Sequence, residues 1–301
     1  MDAKITNSNE NKANPVNYST QGFTGDPKSP LILNAWVNVK NGCLNHNNWG
    51  DDINFYLLEK IAGKKVIFRN KSLLHRLLPF TNYICIGSIL GWYENKNAII
   101  WGAGFIDKDK KLRCVPKKIV SVRGKLSRDL ILSQGISCPE EYGDPALLVS
   151  QYYTPLQIKF KYELGIVTHF MDASNPYLLE FIKSNSNCII IDLVNYKKWT
   201  DVIDEILSCK KIVSSSLHGL IVSDSYKIPN RWVSFSDQIA GGTFKFLDYF
   251  SSVNREETVP ISIQSISDLV ELYQMDFGVC NANINFNKLF ENCPFIEYKN
   301  E

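Results

Sequence analysis

The chain has 301 residues, of which 45% are hydrophobic, enough to build one large core or two moderate ones. Its formal net charge of +2 comes from interspersed acidic and basic residues, so we expect no nucleic-acid partner. No apolar stretch approaches the roughly 18 residues that a membrane span needs. The eight cysteines form no CxxC pair and no zinc-like cluster, which indicates reduced thiols and a cytoplasmic protein.

The chain begins with a polar stretch, residues 1–29, that shows no apolar periodicity and lacks the hydrophobic core of a signal peptide. We predict a disordered tail there. Residues 30–37 follow as a strand, and a helix begins near Asp51 and Asp52. The apolar residues of that helix recur every four positions. One of the two acids is expected to cap the helix while the other points into a crevice.

The remainder of the first half alternates short apolar runs with glycine turns. Strands are predicted at residues 83–86, 98–101 and 119–122, a helix over 126–134, and a last apolar run at 145–149. This alternation is typical of a mostly parallel sheet with βαβ crossovers. Glycine at the turns lets backbone approach a ligand closely.

A second half repeats the pattern after a crossover at residues 151–161. We predict strands at 164–169, 188–193, 212–214 and 231–235, with helices at 177–183, 199–209, 241–253, 266–276 and 286–292. The fold class expected is therefore α/β, with two Rossmann-like domains facing a cleft. Their predicted bounds are 30–155 and 156–301, and the C-terminal helices are expected to pack back towards the first domain.

The most informative stretch is residues 212–219, where an apolar run leads into three serines, His218 and Gly219. It predicts a buried strand, a tight turn and a short helix from about Leu220. His218 would then lie at the carboxyl end of a strand, where open α/β sheets hold their ligands. A core histidine satisfied by backbone hydrogen bonds is the alternative.

Six motifs occur in order along the chain, and together they resemble the polysaccharide pyruvyl transferase family over about residues 31–253. They are Asn48-Trp49-Gly50-Asp51-Asp52, Gly87-Ser88-Ile89-Leu90, Trp101-Gly102-Ala103-Gly104, Val122-Arg123-Gly124-Lys125-Leu126-Ser127, Tyr142-Gly143-Asp144-Pro145-Ala146-Leu147-Leu148 and Ser214-Ser215-Ser216-Leu217-His218-Gly219.

The resemblance implies a fold like that of GT-B glycosyltransferases. It also implies transfer of pyruvate from phosphoenolpyruvate to two hydroxyls of a sugar in a capsule or exopolysaccharide precursor. The family's functional residues match Asp51, Arg123 and His218. Many members carry Arg where this chain has Ser216, so another group must supply that anion contact.

Phosphoenolpyruvate carries a carboxylate and a phosphate, so its site needs cations and backbone N–H donors. Arg123 can bind either group in bidentate fashion. His218 and Asp51 suit acid and base roles, and the sequence leaves open which takes which proton. The other candidate binding residues are Asn48, Gly50, Ser88, Gly102, Gly104, Lys125, Arg128, His169, Ser215, Ser216, Leu217 and Lys245. His46 is a weaker candidate for the acceptor, and the turn at Asp144 is interpreted as structural.

No ligand cluster stands out, so we expect neither a metal nor an organic cofactor. Two other functions remain open at this stage: a GT-B glycosyltransferase that uses a nucleotide sugar, and an inactive binding protein that kept the fold. The acceptor is left open as a free saccharide or a lipid-linked one, which would place the protein near the inner face of the membrane.

Overall fold

The computed structural model describes residues 29–40, 43–45, 48–69, 72–169, 171–236 and 242–295. His46, Gly241 and all of the predicted tail except Ser29 lie outside these ranges.

Twelve strands occur in the described residues. In chain order they are β1 (Leu31–Leu33), β2 (Val39–Lys40), β3 (Cys43–Leu44), β4 (Val66–Phe68), β5 (Asn82–Ile84), β6 (Ala98–Trp101), β7 (Lys118–Ser121), β8 (Tyr162–Val167), β9 (Cys188–Ile191), β10 (Cys209–Ser214), β11 (Asn230–Ser234) and β12 (Ile261–Ser262).

The helices in those ranges connect and cover the strands. They are α1 (Trp49–Ala62), α2 (Leu73–Leu77), α3 (Lys125–Leu132), a 3-10 helix (Pro145–Leu148), α4 (Val149–Tyr152), α5 (Pro176–Ser184), α6 (Trp199–Leu207), α7 (Leu217–Ser225), α8 (Phe244–Val253), α9 (Ile266–Gln274) and α10 (Phe286–Glu291). Within the described ranges, every helix is too short or too polar to cross a lipid bilayer.

Ten of the strands form two five-stranded parallel sheets, ordered β4-β1-β5-β6-β7 and β12-β11-β10-β8-β9, while β2 and β3 pair as a short antiparallel ribbon. When the strands of each sheet are numbered from 1 to 5 in chain order, both sheets have the doubly wound order 2-1-3-4-5. The α/β prediction is confirmed, and so is the repeat of one pattern in two halves. In such sheets the ligand crevice lies where the strand order reverses, here between β1 and β5 and between β8 and β10.

Several local predictions were wrong. Residues 30–37 form a strand only at Leu31–Leu33. The apolar run at 145–149, for which no element type is predicted, is helical, because Pro145 occupies the first helical position and Asp144 accepts a hydrogen bond from the Ala146 N–H at 3.0 Å. The cap of α1 is Asn48 rather than either aspartate.

The two halves are joined through buried side chains rather than through the crossover alone. The Trp49 indole donates to the Trp199 carbonyl at 2.7 Å, and Tyr56 stacks on Trp199 with ring centroids 6.0 Å apart. Helix α8 returns to the first half, where Asp248 bonds Arg123, while its Phe246 stacks on a tryptophan of β11. One hydrophobic cluster therefore contains residues from both sheets. The domain bounds stay a prediction.

The last two helices pack on different halves. Helix α10 contacts the 3-10 helix, and Phe295 beyond it packs edge-on against Tyr83 and Trp101 at 4.8 and 5.5 Å. Helix α9 instead contacts α5 of the second half.

Candidate active site

The carboxyl ends of both sheets border one cavity of about 630 Å³, the central cavity. The predicted residues on its wall are Asn48, Asp51, Ser88, His169, Ser216, Leu217, His218 and Lys245. These residues come from both halves of the chain. Ser88 follows β5, His169 follows β8 and Ser216 follows β10, which are strands at which a sheet reverses its order. The cavity therefore lies where a doubly wound sheet places its ligand.

Helix α1 presents a carboxyl group to this cavity. Its cap, Asn48, accepts from the Gly50 N–H at 3.2 Å and donates its amide to Asp51 Oδ2 at 2.6 Å. Burial is the largest cause that raises the pKa of Asp51 to about 7, and the neighbouring Asp52 adds to it while Lys245 opposes it. Asp51 can therefore carry a proton near neutral pH.

The adjacent acid is directed away from the cavity. Asp52 is buried and accepts a hydrogen bond from the Tyr196 hydroxyl at 2.6 Å, which ties α1 to the loop after β9. The prediction that one acid of the pair faces a crevice fits this geometry, with Asp51 as the acid on the wall.

His218 lies in the first turn of α7, opposite α1. Its ring is so close to Gly50 that a Cβ there would lie 2.1 Å from Nδ1. Its Nε2 is buried and has no hydrogen-bond partner among the described residues. Burial, with Arg123 and Lys245 nearby, lowers the pKa of His218 to about 3. The result is a neutral imidazole with an unpaired nitrogen, whereas the core-histidine alternative requires a bonded ring.

The local sequence explains why the histidine is held here. At the end of β10, Ser214 Oγ accepts from the Ser216 N–H at 3.0 Å, which tightens the turn into α7. Gly219 allows the helix to pack against this turn, because a Cβ at that position would lie 2.3 Å from Ser214 Oγ. Helix α7 therefore begins at Leu217, earlier than predicted, and carries His218 in its first turn.

The middle serine holds the neighbouring loop. Ser215 Oγ donates to Asp172 at 2.8 Å and accepts from the His169 N–H at 2.9 Å. Ser215 itself is fully buried and lies behind the cavity wall, while His169 is half-buried on it. Burial lowers the pKa of His169 to about 4, and Lys245 adds to that shift.

The positive charge of the central cavity comes from Lys245, in the first turn of α8. It is the only Lys or Arg among the wall residues that the structure describes. The residue is 9% exposed, and burial followed by the charge of Arg123 lowers the pKa of its amine to about 8. Asp51 opposes this shift, so the lysine and the carboxyl group act on each other across the cavity.

Arg123 lies one layer behind the wall. Its guanidinium is fully buried and bonds Asp248 at 3.0 Å, the Phe105 carbonyl at 2.7 Å and Ser88 Oγ at 2.5 Å. Gly104 makes room for it, because a Cβ there would lie 2.5 Å from the Arg123 Cζ. Direct contact of this arginine with a ligand stays a prediction. Its hydrogen bond to Ser88 connects it to the cavity wall.

Other predicted binding residues lie off the wall. Gly102 has a φ of 83° and is pressed against Pro145, where a Cβ would lie 2.2 Å from Cδ. Lys125 is exposed at the start of α3, and Arg128 pairs with Glu140 at 3.3 Å.

Sequence reasoning missed part of the wall. Trp36 and Trp92 stack at a tilt with centroids 5.1 Å apart, and the loop at residues 192–195 closes another side. That loop directly follows β9, so the rule that ligands bind at strand ends could have found it.

Asp144, interpreted as structural, does cap a helix. Its Oδ2 is nevertheless buried without a partner among the described residues, and burial raises its pKa to about 7.

Within the described ranges, no group of three or more His, Cys, Asp or Glu residues is arranged to hold a metal ion.

Part of the chain matches a known protein family. The family description polysaccharide pyruvyl transferase matches residues 34–237, a stretch that contains Asp51, Arg123 and His218. The succinoglycan biosynthesis protein ExoV of Rhizobium meliloti is 25% identical over 246 residues, covering 77% of this chain and 71% of that protein. An uncharacterised protein of Acanthamoeba polyphaga mimivirus is 30% identical over 211 residues, covering 68% of this chain and 70% of its own length.

Proposed function

The chain belongs to the polysaccharide pyruvyl transferase family, and we propose that it transfers the pyruvate group of phosphoenolpyruvate to two hydroxyls of one sugar. The acceptor is a precursor of a surface polysaccharide, and the product is a cyclic pyruvate ketal. The observation that carries the proposal is the convergence of Asp51, His218 and Lys245 on one cavity between the two sheets. Their altered pKa values are typical of groups that move protons.

The donor is an anion, and the central cavity offers it positive potential. Lys245 supplies a cation in place of the arginine that the family resemblance implies at the Ser216 position. The first turns of α1 and α7 add backbone N–H groups, which carry the partial positive charge of a helix start. We assign the donor's phosphate and carboxylate to this region.

The proposed reaction balances with no further reactant. The methylene carbon of phosphoenolpyruvate gains a proton and becomes the methyl group, while the oxygen of the first hydroxyl bonds to C2. The bond from C2 to the phosphate oxygen then breaks with its electron pair, and the second hydroxyl oxygen bonds to C2. The two hydroxyl groups release two protons. One returns to the acid that protonated the methylene carbon, and the other leaves on hydrogen phosphate.

The pKa values suggest how the two roles are divided. Asp51 is the acid, because a carboxyl group with a pKa of about 7 is partly protonated at neutral pH. His218 is the base, because its imidazole is neutral and its Nε2 is unpaired. A bound anionic donor raises the pKa of His218 from about 3 and strengthens it as a base.

Arg123 acts as a positioning residue in this scheme. Its hydrogen bond to Ser88 orients the hydroxyl group of that serine on the cavity wall. Its charge adds to the positive potential around Lys245. The proposed arrangement of the two sheets is that of GT-B enzymes, supported by their identical strand order and their shared cavity.

Phosphate release from phosphoenolpyruvate, measured with a panel of saccharide acceptors, tests the proposal. We expect acceptor-dependent phosphate release at the same rate with and without a chelator, because the cavity's own cation meets the donor charge. Nucleotide release from a nucleotide sugar, with no turnover of phosphoenolpyruvate, would overturn the proposal in favour of a glycosyltransferase. Loss of turnover on chelation, restored by a divalent ion, would overturn its metal-free chemistry.

A further inference from the structure

A second cavity of about 680 Å³, the side cavity, lies next to the central one. Trp92 lines both cavities, and its partner Trp36 lines the central one and is 55% exposed. The two tryptophans therefore form a ledge from one cavity to the other. Aromatic side chains of this kind combine an apolar face with a polar edge and suit the face of a sugar ring.

The side cavity is strongly cationic. Its wall includes Arg69, Arg76, Lys96 and Arg113, against the single carboxylate of Glu94. Within the described residues no ion pair joins any of these four cations to a carboxylate.

Glu94 is already engaged by the backbone. Its two oxygens accept from the Gly91 N–H at 2.7 Å and the Arg113 N–H at 3.5 Å. The glutamate therefore holds the loop that carries Trp92, and its charge acts on Arg113 without an ion pair. Arg69 and Arg113 each donate one hydrogen bond to a backbone carbonyl at 2.8 Å, and a carbonyl does not cancel their charge. The four cations of the side cavity thus exceed its single carboxylate, which favours an anionic ligand.

Two buried polar atoms in this wall have no hydrogen-bond partner among the described residues. They are Arg69 Nε, a donor, and Asn34 Oδ1, an acceptor. Unpaired buried polar atoms cost free energy, and in native proteins they commonly mark a ligand or water site. A donor for an anion and an acceptor for a hydroxyl in the wall of one cavity fit a ligand that carries both groups.

We infer that the side cavity binds an anionic group of the saccharide acceptor, a sugar carboxylate or a sugar-linked phosphate. The sugar chain lies across the Trp36–Trp92 ledge, with its reacting hydroxyls in the central cavity. This inference rests on the proposed function, since it names the acceptor class for the same reaction. It makes the acceptor an acidic or phosphorylated saccharide rather than a neutral one.

Binding of three probes tests the inference, followed by the fluorescence of the two tryptophans or by calorimetry. Trigalacturonate carries the carboxylate, inorganic pyrophosphate carries the phosphate, and maltotriose is the neutral control. We expect at least one anionic probe to bind about 10-fold or more tightly than maltotriose, with an affinity that falls as salt is added. Which anion binds distinguishes the two sources of charge. Equal binding of all three probes, or no binding of either anion, would overturn the inference.

Three variants locate the site: Arg69→Gln, Arg76→Gln and Arg113→Gln. Each should lower the affinity for the bound anion by about 10-fold, the worth of one charge-assisted hydrogen bond. The control is Lys183→Gln, which removes the same charge from an exposed residue on α5 of the second half. It should leave the affinity for the anion unchanged. Melting curves identify any variant that fails to fold, and Arg76 and Arg113, both exposed, keep the test usable if Arg69→Gln does not fold.

Binding of phosphoenolpyruvate to the same variants separates this inference from the proposed function. We expect it to stay within about twofold of the unaltered protein, because the donor lies in the central cavity. An equal loss of donor affinity would show that the side cavity takes the donor, and would overturn the inference. If the unaltered protein failed to turn over phosphoenolpyruvate but still bound the anionic saccharide, the proposed function would be wrong and the anion site would stand.

Discussion

At the scale of single residues, His218 is the proposed base of the reaction. Replacing it with Gln should lower turnover by roughly 10²–10⁴-fold, the usual contribution of a positioned proton acceptor. Donor affinity should change much less, because Lys245 and the backbone N–H groups remain. Since Nε2 has no bond to lose, the melting temperature should also change little. A destabilised variant whose folded fraction is fully active would instead identify His218 as a structural residue.

Asp51 gives the site a pH dependence with a defined sign. Its pKa is raised from 3.8 to about 7, so the protonated acid, and with it turnover, should decline as the pH rises through about 7. Asp51→Asn, which has no proton to give, should abolish most turnover at every pH. A rate that rises through the same range would contradict the assignment of Asp51 as the acid.

The same shift acts on stability. Because the folded pKa lies above the unfolded value, the stability from this carboxyl group is fully present below pH 3.8 and is lost as the pH rises through about 7. Asp51→Asn should therefore melt higher than the unaltered protein above about pH 7, and the difference should vanish below pH 3.8. The pKa of Asp144 is raised as well, so part of the pH dependence of stability should remain in the variant.

At the scale of elements, α1 and α7 must approach closely, and Gly50 permits it. Gly50→Ala places a methyl group against the His218 ring, at 2.1 Å from Nδ1, and should cost about 1–3 kcal/mol of stability. In a His218→Ala background the same change should be neutral or should stabilise by up to about 1 kcal/mol, since alanine is the better helix former. Equal destabilisation in both backgrounds would show that the two helices do not meet there.

Helix α8 is tied by a buried ion pair to Arg123, just before α3, and by hydrogen bonds to Ser127 within α3. Asp248 accepts from Arg123 and from both the backbone N–H and the hydroxyl of Ser127, at 3.0, 2.7 and 2.6 Å. Arg123→Ala leaves this carboxylate buried without its cation and should cost about 3–5 kcal/mol in the free energy of unfolding. The control Arg128→Ala breaks a partly exposed pair and one hydrogen bond to the Cys138 carbonyl, and should cost at most about 2 kcal/mol.

A double-mutant cycle completes that test. Arg123→Ala combined with Asp248→Ala should cost less than the sum of the two single changes, because the second change removes the stranded charge. Additive losses in chemical denaturation would mean that the two residues do not stabilise each other.

At the scale of the whole molecule, the alternation of apolar runs was enough to predict two parallel α/β halves. The strand order could not be predicted, because it depends on which edges pair in space. Two of the motif residues predicted to be functional, Asp51 and His218, lie on the wall of the central cavity. Other motif residues are buried away from that wall. Arg123 was expected to face a ligand, and in the structure its bonds to Asp248, Ser88 and a carbonyl occupy it behind the wall.

Long-range packing explains most of what the sequence did not reveal. Lys245 was a candidate from the sequence, but its place on the wall depends on the return of α8 across the first half, and no local pattern encodes that return. Asn48 outcompetes the two aspartates as the cap of α1, although all three residue types favour that role. The tryptophan ledge arises from Trp36 and Trp92, which follow different strands and meet only in the folded chain.

The fate of the methylene carbon of phosphoenolpyruvate tests the proposed transfer of pyruvate. In heavy water, with carbon-13 donor and an acidic saccharide acceptor, NMR of the product should show a methyl group on a ketal carbon. That methyl group should carry one deuterium from the solvent, because the acid in the site exchanges its proton with water. A product that keeps the carbon–carbon double bond, or phosphate release with no pyruvate attached to the sugar, would contradict the account.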